Sequence, residues 1–241
     1  MDQFDRSERL LGAAAMERLS RARVAVFGVG GVGGYAAEAL ARSGIGAIDL
    51  VDHDRVSLTN LNRQIIALHS TLGRPKTEAM RDRILDIHPA CSVTVRDCFY
   101  LPENAEDFDL SAFDYVVDAV DTVAAKLTLA ERTRCAGVPL ISAMGAGNKL
   151  DPSRLRISDI SQTSVCPLAR VMRKELRKRG IDRLKVAWSD EPALTPAPAG
   201  EEETEVRRAV PGSTVFVPAA MGLLIAAEVV RDLAGIKRGD A

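Results

Sequence analysis

The sequence has no pair of cysteines at the spacing of a zinc clip. Its four cysteines, Cys91, Cys98, Cys135 and Cys166, form no C-x-x-C motif, so a four-thiolate site has no support and no zinc is expected. They are read as reduced thiols, for which burial as a small hydrophobe is the ordinary role. A charge excess is missing too. The 32 Lys and Arg against 33 Asp and Glu leave a net charge of -1, which gives no global field for a polyanion and confines any such site to a local patch. The start, MDQFDR, lacks the basic and apolar runs of a signal peptide. The most apolar stretch, residues 215–230, contains Pro218 and Glu228 and is too short to span a bilayer comfortably. There is no internal repeat. A cytoplasmic protein without a membrane segment is expected, with 241 residues sufficing for one large α/β domain.

What is present is a nucleotide fingerprint in its proper setting. Residues 24–27 form an apolar, β-rich run that reads as a strand buried on both faces. Gly28-Val29-Gly30-Gly31-Val32-Gly33 follows, matching G-x-G-x-x-G. Residues 35–42 read as a helix, and residues 47–51 as a second strand ending on Asp52. The glycines allow a tight turn and close backbone approach to phosphate, which the helix N-terminus attracts. Asp52 stands where a carboxylate accepts hydrogen bonds from a ribose.

Elsewhere the chain reads as follows. Residues 4–20 suit one or two short amphipathic helices. Gly73-Arg74-Pro75-Lys76 opens a helix that runs to Pro89, with proline in its first turn. Strands are expected at 92–96, 113–121, 138–143 and 155–160, a helix at 123–136, and a glycine turn at 144–148 at a strand end that could line the crevice. The repeating βαβ pattern fixes the class as a Rossmann-like, mostly parallel sheet with helices on both faces. Residues 167–179 read as a helix carrying Arg170, Arg173, Lys174, Arg177, Lys178 and Arg179 against Glu175, and Arg183 and Lys185 extend the basic run. That run is either a solvated face or a local patch for a phosphate backbone. A late strand is expected at 214–217, then a small-residue helix from 219 to 233.

The fingerprint by itself admits an NAD(P) dehydrogenase. Arg63, Lys76 and Asp121 favour attack at phosphorus. Two cations can neutralise triphosphate oxygens, while Asp121 can hold Mg²⁺. The reaction that suits this furnishing is adenylation of a carboxylate by ATP, by positioning rather than by a protein nucleophile.

In combination, GVGGVGGYAAEALARSGIG, VDHDRVSLTNLNRQ, GRPK and DAVDTVAAK resemble the E1-like activating enzymes, the superfamily of ubiquitin-like protein activators. The resemblance covers residues 4–150. It implies a single E1-like ATP-binding domain over residues 1–241, with a nucleotide-binding core at 1–150, a crossover and basic-helix region at 151–213, and a closing strand and helix at 214–241. It implies that Gly28, Gly30, Gly31 and Gly33 cradle phosphate and that Asp52 binds the ribose. Asp54 would help near the phosphates or metal, Asn60, Arg63 and Lys76 would contact the triphosphate, and Asp121 would bind Mg²⁺. An arginine near the N-terminus reaches the neighbouring subunit's ATP in this family. Arg6 is the best match, with Arg9 close behind, and a homodimer follows. The second half, with SAMGAGNKLDPSRLRISDI and PLARVMRKELRKRGI, looks like the tRNA threonylcarbamoyladenosine dehydratases, which use ATP to cyclise a modified adenosine. This implies a tRNA substrate met by the basic region from Arg170 to Lys185. One departure is that some members carry a cysteine before the last helix, where residues 210–222 have none. Cys166 lies where other E1-like proteins carry a thioester cysteine. The alternative reading is an adenylyltransferase for a ubiquitin-like sulfur-carrier protein, and a sulfur-transfer protein is a further candidate partner.

Overall fold

The computed structural model describes residues 2–196 and 211–236. The run at 24–27 becomes β1 (Arg23–Phe27), whose alternate side chains face opposite sides of the sheet. Val24 and Val26 enter one core and Ala25 and Phe27 the other, all with no exposed surface. That two-sided burial explains the unbroken apolar run. β1 pairs in parallel with β2 (Ala47–Asp52) and with β4 (Tyr115–Asp118), so Val26 lies opposite Leu50 and Val117.

The remaining strands are β3 (Ser92–Asp97), β5 (Leu140–Ala143), β6 (Leu155–Asp159) and β7 (Lys185–Ser189). The seven run in the order β3-β2-β1-β4-β5-β7-β6, and only β6 is antiparallel to its neighbour. Between β1 and β4 the order reverses direction, which opens a crevice at their carboxyl ends.

Helices α2 (Ala13–Arg21), α3 (Gly33–Arg42), α4 (Lys76–Ile87) and α7 (Phe216–Ala234) build the core on one face. Helices α5 (Val123–Ala136) and α6 (Pro167–Lys178) build the other. The N-terminal segment forms α1 (Asp5–Leu11) and then α2, as its pattern predicts. Leu19 of α2 is fully buried, and Arg18 donates to the carbonyl of Ala234 in α7, so α2 is tied to the closing helix.

Four expectations are corrected. Residues 214–217 form no strand: Val215 is the N-cap of α7 and the helix begins at Phe216. The β-branched and aromatic residues there mimic a strand, but Pro218 falls in the first turn, where its missing N–H would have no helical partner anyway. The seventh strand is β7, which the basic run concealed. There Leu184, Val186 and Trp188 are buried, and Lys185 is bound to Asp232 at 2.6 Å and Glu228 at 3.1 Å. Lys185 therefore ties β7 to α7 and is not part of the basic face. Two starts also move: α3 begins at Gly33, ahead of Tyr35, and Pro75 caps α4 from outside. Among the described residues no helix is long and apolar enough to cross a membrane.

Candidate active site

A cavity of about 400 Å³ opens at the carboxyl ends of β1, β2 and β4, the size and place at which a doubly wound sheet holds a nucleotide. Its wall carries Gly28, Gly30, Gly31, Asp52, Asp54, Asn60, Arg63, Lys76 and Asp121. Of the expected nucleotide residues only Gly33 stands back from it.

The glycines divide by reason. A Cβ on Gly28, at φ +87°, would lie 2.6 Å from the Ala119 carbonyl oxygen, and one on Gly33 would collide with the carbonyl of Gly28. These two are required by the turn itself. Gly30 is different: a Cβ there would meet only the Gln64 Nε2, at 3.8 Å. Nothing in the described chain requires a glycine at 30, so the bare backbone there leaves room for close approach from the cavity.

Asp52 has a role that spacing did not reveal. Its Oδ2 accepts from the Val29 N–H at 2.6 Å and its Oδ1 from the Asp54 N–H at 2.8 Å. The carboxylate thus pins the glycine loop to the end of β2, with lone pairs left over for ribose hydroxyls. Asp54 and Lys76 meet directly: Lys76 Nζ lies 2.6 Å from Asp54 Oδ2, and His53 Nε2 lies 2.9 Å from Asp54 Oδ1. Lys76 is buried at 5 % exposure, which rules out a lysine pointing into water.

Asn60 is buried, and its Oδ1 accepts from the Ser57 N–H at 3.1 Å, closing a 3₁₀ turn. Arg63 donates to the Thr59 carbonyl and to Asn62 Oδ1, each at 2.9 Å, which fixes its guanidinium beside the cavity. Asp121 is exposed just past β4. The structure thus brings two cations and three carboxylates to one rim. Arg6 and Arg9 do not join them; both are exposed on α1 and outside this cavity.

The far wall comes from distant sequence: Ala146 and Gly147 after β5, and Pro211, Ser213 and Pro218 leading into α7. The glycine turn therefore does line the crevice. Asn62 Nδ2 donates to the Ser213 carbonyl at 2.9 Å, stitching the two walls together.

Beneath the rim lies a pair that sequence reasoning missed. Lys126 of α5 and Asp118 of β4 are 1 % and 0 % exposed. Lys126 Nζ reaches both Asp118 carboxylate oxygens at 3.1 Å and the Ala143 carbonyl at 2.7 Å. Asp118 also accepts from Ser142 Oγ and, at 3.2 Å, from the Val120 N–H. The network therefore anchors the segment that carries Asp121. The available signal was a lysine within an α5 apolar on most sides, a position that demands an acid.

The basic helix is less free than its composition suggests. Arg173 turns inward to the carbonyl and hydroxyl of Thr163, Lys178 pairs with Glu175, and Arg179 with Glu131 and Glu175. Arg170, Lys174 and Arg177 are exposed and share one face of α6 by their spacing. Cys166 is buried at the start of α6 among the second core's side chains and does not line the cavity. Its side chain packs in that core, with the buried Lys149 ammonium near enough to interact with it.

With this geometry in hand, comparisons place the chain among known proteins. The ThiF family model matches residues 4–240. The chain is similar to the tRNA threonylcarbamoyladenosine dehydratase of Bacillus subtilis (strain 168), 46% identical over 241 residues that span 97% of this chain and 95% of that protein. It is also similar to the crystal structure of E. coli tRNA N6-threonylcarbamoyladenosine dehydratase in complex with ATP, with a TM-score of 0.87 and 34% identity, covering 97% of this chain and 94% of the other. The molybdopterin-synthase adenylyltransferase of Escherichia coli (strain K12) is 39% identical, but over 132 residues, 52% of this chain and 50% of its own.

Proposed function

This chain belongs to the ThiF family, and from that premise we propose that it is an ATP-dependent, E1-like tRNA threonylcarbamoyladenosine dehydratase. It activates the threonyl carboxylate of the modified adenosine by adenylation, and the activated group cyclises. The observation that carries this reading is the cavity in which a glycine loop and Asp52 meet Arg63, Lys76 and Asp121. The likeness to the Bacillus subtilis dehydratase extends over 97% of this chain, whereas that to the adenylyltransferase extends over 52%.

The chemistry follows from charge and position. The carboxylate attacks the α-phosphorus, the bond to the bridging oxygen breaks, and pyrophosphate leaves with the electron pair. Arg63 and Lys76 oppose the charge that gathers on the departing phosphates. An atom of the carbamoyl group then attacks the acyl adenylate and AMP leaves, so ATP takes up the elements of water. Asp121 fits a Mg²⁺ role, because that ion keeps most of its waters and takes one or two carboxylates beside substrate phosphates. When bound there it would screen phosphate charge.

Arg6 is exposed and outside its own chain's cavity, which suits delivery to the neighbouring site of a homodimer. Exposed Leu58, Leu68 and Leu72, with Phe216 and Leu223 of α7, offer apolar surface for that association. The tRNA backbone is assigned to Arg170, Lys174 and Arg177. A cytoplasmic location fits such a substrate.

The test is ATP–pyrophosphate exchange by the purified protein. Transfer RNA bearing threonylcarbamoyladenosine should support exchange, and unmodified tRNA should not. Exchange only with a carrier protein ending in Gly-Gly would refute the tRNA reading. Charge removal at Arg170, Lys174 and Arg177 should lower the salt dependence of tRNA binding, by a slope of roughly 2 to 3 if each meets a phosphate.

A further inference from the structure

The basic residues of the second half divide by whether the chain already uses them. Arg173, Lys178 and Arg179 are spent on Thr163, Glu175 and Glu131, and Lys185 on Asp232 and Glu228. Arg170, Lys174, Arg177 and Arg183 are exposed and make no side-chain hydrogen bond or ion pair with any described residue. The helix that carries most of them has a direction. At its head, Cys166 Sγ lies 3.7 Å from where a Cβ on Gly145 would stand, next to the Ala146–Gly147 wall of the nucleotide cavity. At its foot is a second cavity, of about 220 Å³, at the amino ends of β5 and β7, with Leu140 and Lys185 in its wall. Helix α6 thus runs from one end of the sheet to the other, and its 12 residues span about 18 Å.

The groove at the foot has an apolar floor, including Val138, Ile181 and Leu184, and carries Arg134 and Arg183. Arg134 reaches it from α5. Its guanidinium donates to the carbonyl of Gly180, just past the end of α6, which fixes its place and leaves its charge unbalanced. Asp159, the carboxylate in the groove wall, accepts from the Ser161 N–H at 2.9 Å and the Leu184 N–H at 3.2 Å. Two guanidinium groups without a carboxylate partner fit a phosphate. We propose that this groove holds a backbone phosphate of an RNA stem, so that the stem lies along α6 with its modified nucleotide in the nucleotide cavity. The inference rests on the tRNA reading and adds to it the direction and length of the footprint. Arg170, Lys174 and Arg177, set about 6 and 4.5 Å apart along the axis, meet the phosphates in between. Duplex RNA is recognised mainly by shape and phosphate contacts, which a row of unpaired cations supplies. At about 3.4 Å of axis per base pair, the length of α6 corresponds to roughly five base pairs between cavity and groove.

The experiment uses the whole protein and two stem-loops bearing threonylcarbamoyladenosine. One has a stem of about three base pairs, which ends short of the groove, and the other about seven, which passes it. Steady-state KM and equilibrium binding across salt are measured for wild type, Arg183→Gln, Arg134→Gln, Arg134→Lys and Asp182→Asn. Wild type should favour the longer stem. Each glutamine variant should lower the salt slope for that stem by about 0.9, the size of one lost phosphate contact, and should raise KM more than it lowers kcat. Arg134→Lys keeps the charge and should keep the preference, which separates charge from the contact with Gly180. Asp182 is exposed beside Arg183, so Asp182→Asn should tighten binding of the longer stem, a gain that misfolding cannot produce. No preference for the longer stem in wild type, equal losses for both stems in the glutamine variants, or a salt slope that neither variant moves overturns the proposal. A wild type that binds neither stem-loop nor the intact tRNA would instead overturn the tRNA reading itself.

Discussion

Replacing Lys126 with methionine should destabilise this protein far more than any exposed lysine substitution. The ammonium is 1 % exposed and balances Asp118, which has no exposed surface. A methionine side chain at this position would keep most of the volume but leave the carboxylate with only the Ser142 hydroxyl and the Val120 N–H. Breaking a buried pair from one side costs about 3–5 kcal/mol, because a charge stays behind without compensation. For a chain of 241 residues, each kcal/mol lowers Tm by roughly 2–4 °C, so a fall of about 6–20 °C is expected. The assay is thermal unfolding of Lys126→Met, Asp118→Asn and the double variant, with ATP affinity measured alongside. The double variant should be more stable than the sum of the singles predicts, since it removes both charges together. ATP affinity should weaken as well, because Asp118 holds the segment leading to Asp121. A Lys126→Met loss below about 1 kcal/mol, or strict additivity of the two substitutions, would refute the claim that this pair is a charge-balanced anchor.

Three further outcomes follow from the same geometry. Gly33→Ala should cost stability, since its Cβ meets the Gly28 carbonyl, whereas Gly30→Ala should keep its melting temperature and lose ATP affinity; calorimetric unfolding and nucleotide titration separate the two. Ellman's reagent should modify exposed Cys135 first, with Cys166 slow through burial and Cys91 slow because burial pushes its thiol up to about 11; prompt reaction of Cys91 in the folded protein would contradict this. Burial works to raise the Glu38 carboxyl, but hydrogen bonds from Arg83 and Arg42 hold it below the ordinary glutamate range. Its stabilisation is therefore present above the unfolded glutamate pKa and lost as pH falls through the lower folded value. Glu38→Gln should flatten stability against pH on the acid side, and an unchanged acid limb in urea titrations would count against it.

Much of the fold was legible because its signals are local. Apolar runs ending at Gly28 and Asp52 follow from two-faced burial, and the helix-and-strand alternation dictates right-handed parallel crossovers. The misreadings came where one local signal imitated another. Residues 214–217 look like a strand because Val and Phe favour extended backbone in isolation, yet packing on the sheet rewards the helix that contains them. The strand at Lys185 was masked because its lysine was counted with the arginines of α6, while its acidic partners, Glu228 and Asp232, lie on α7.

The same division governs the site. By itself the sequence determined the glycine loop, the acid at the end of β2, and the residue types gathered for phosphate chemistry, because their spacing sets backbone geometry within one βαβ unit. Only the tertiary structure decided that Lys76 is buried against Asp54, that Asp52 pins the glycine loop, that Lys126 neutralises Asp118 under the rim, and that Gln64 Oε1 is left without a partner among the described residues. Those facts depend on which side chains meet after the crossovers close, and on how much water is excluded when they do. A carboxylate in water needs no partner. The same group at Asp118, with no exposed surface, requires one.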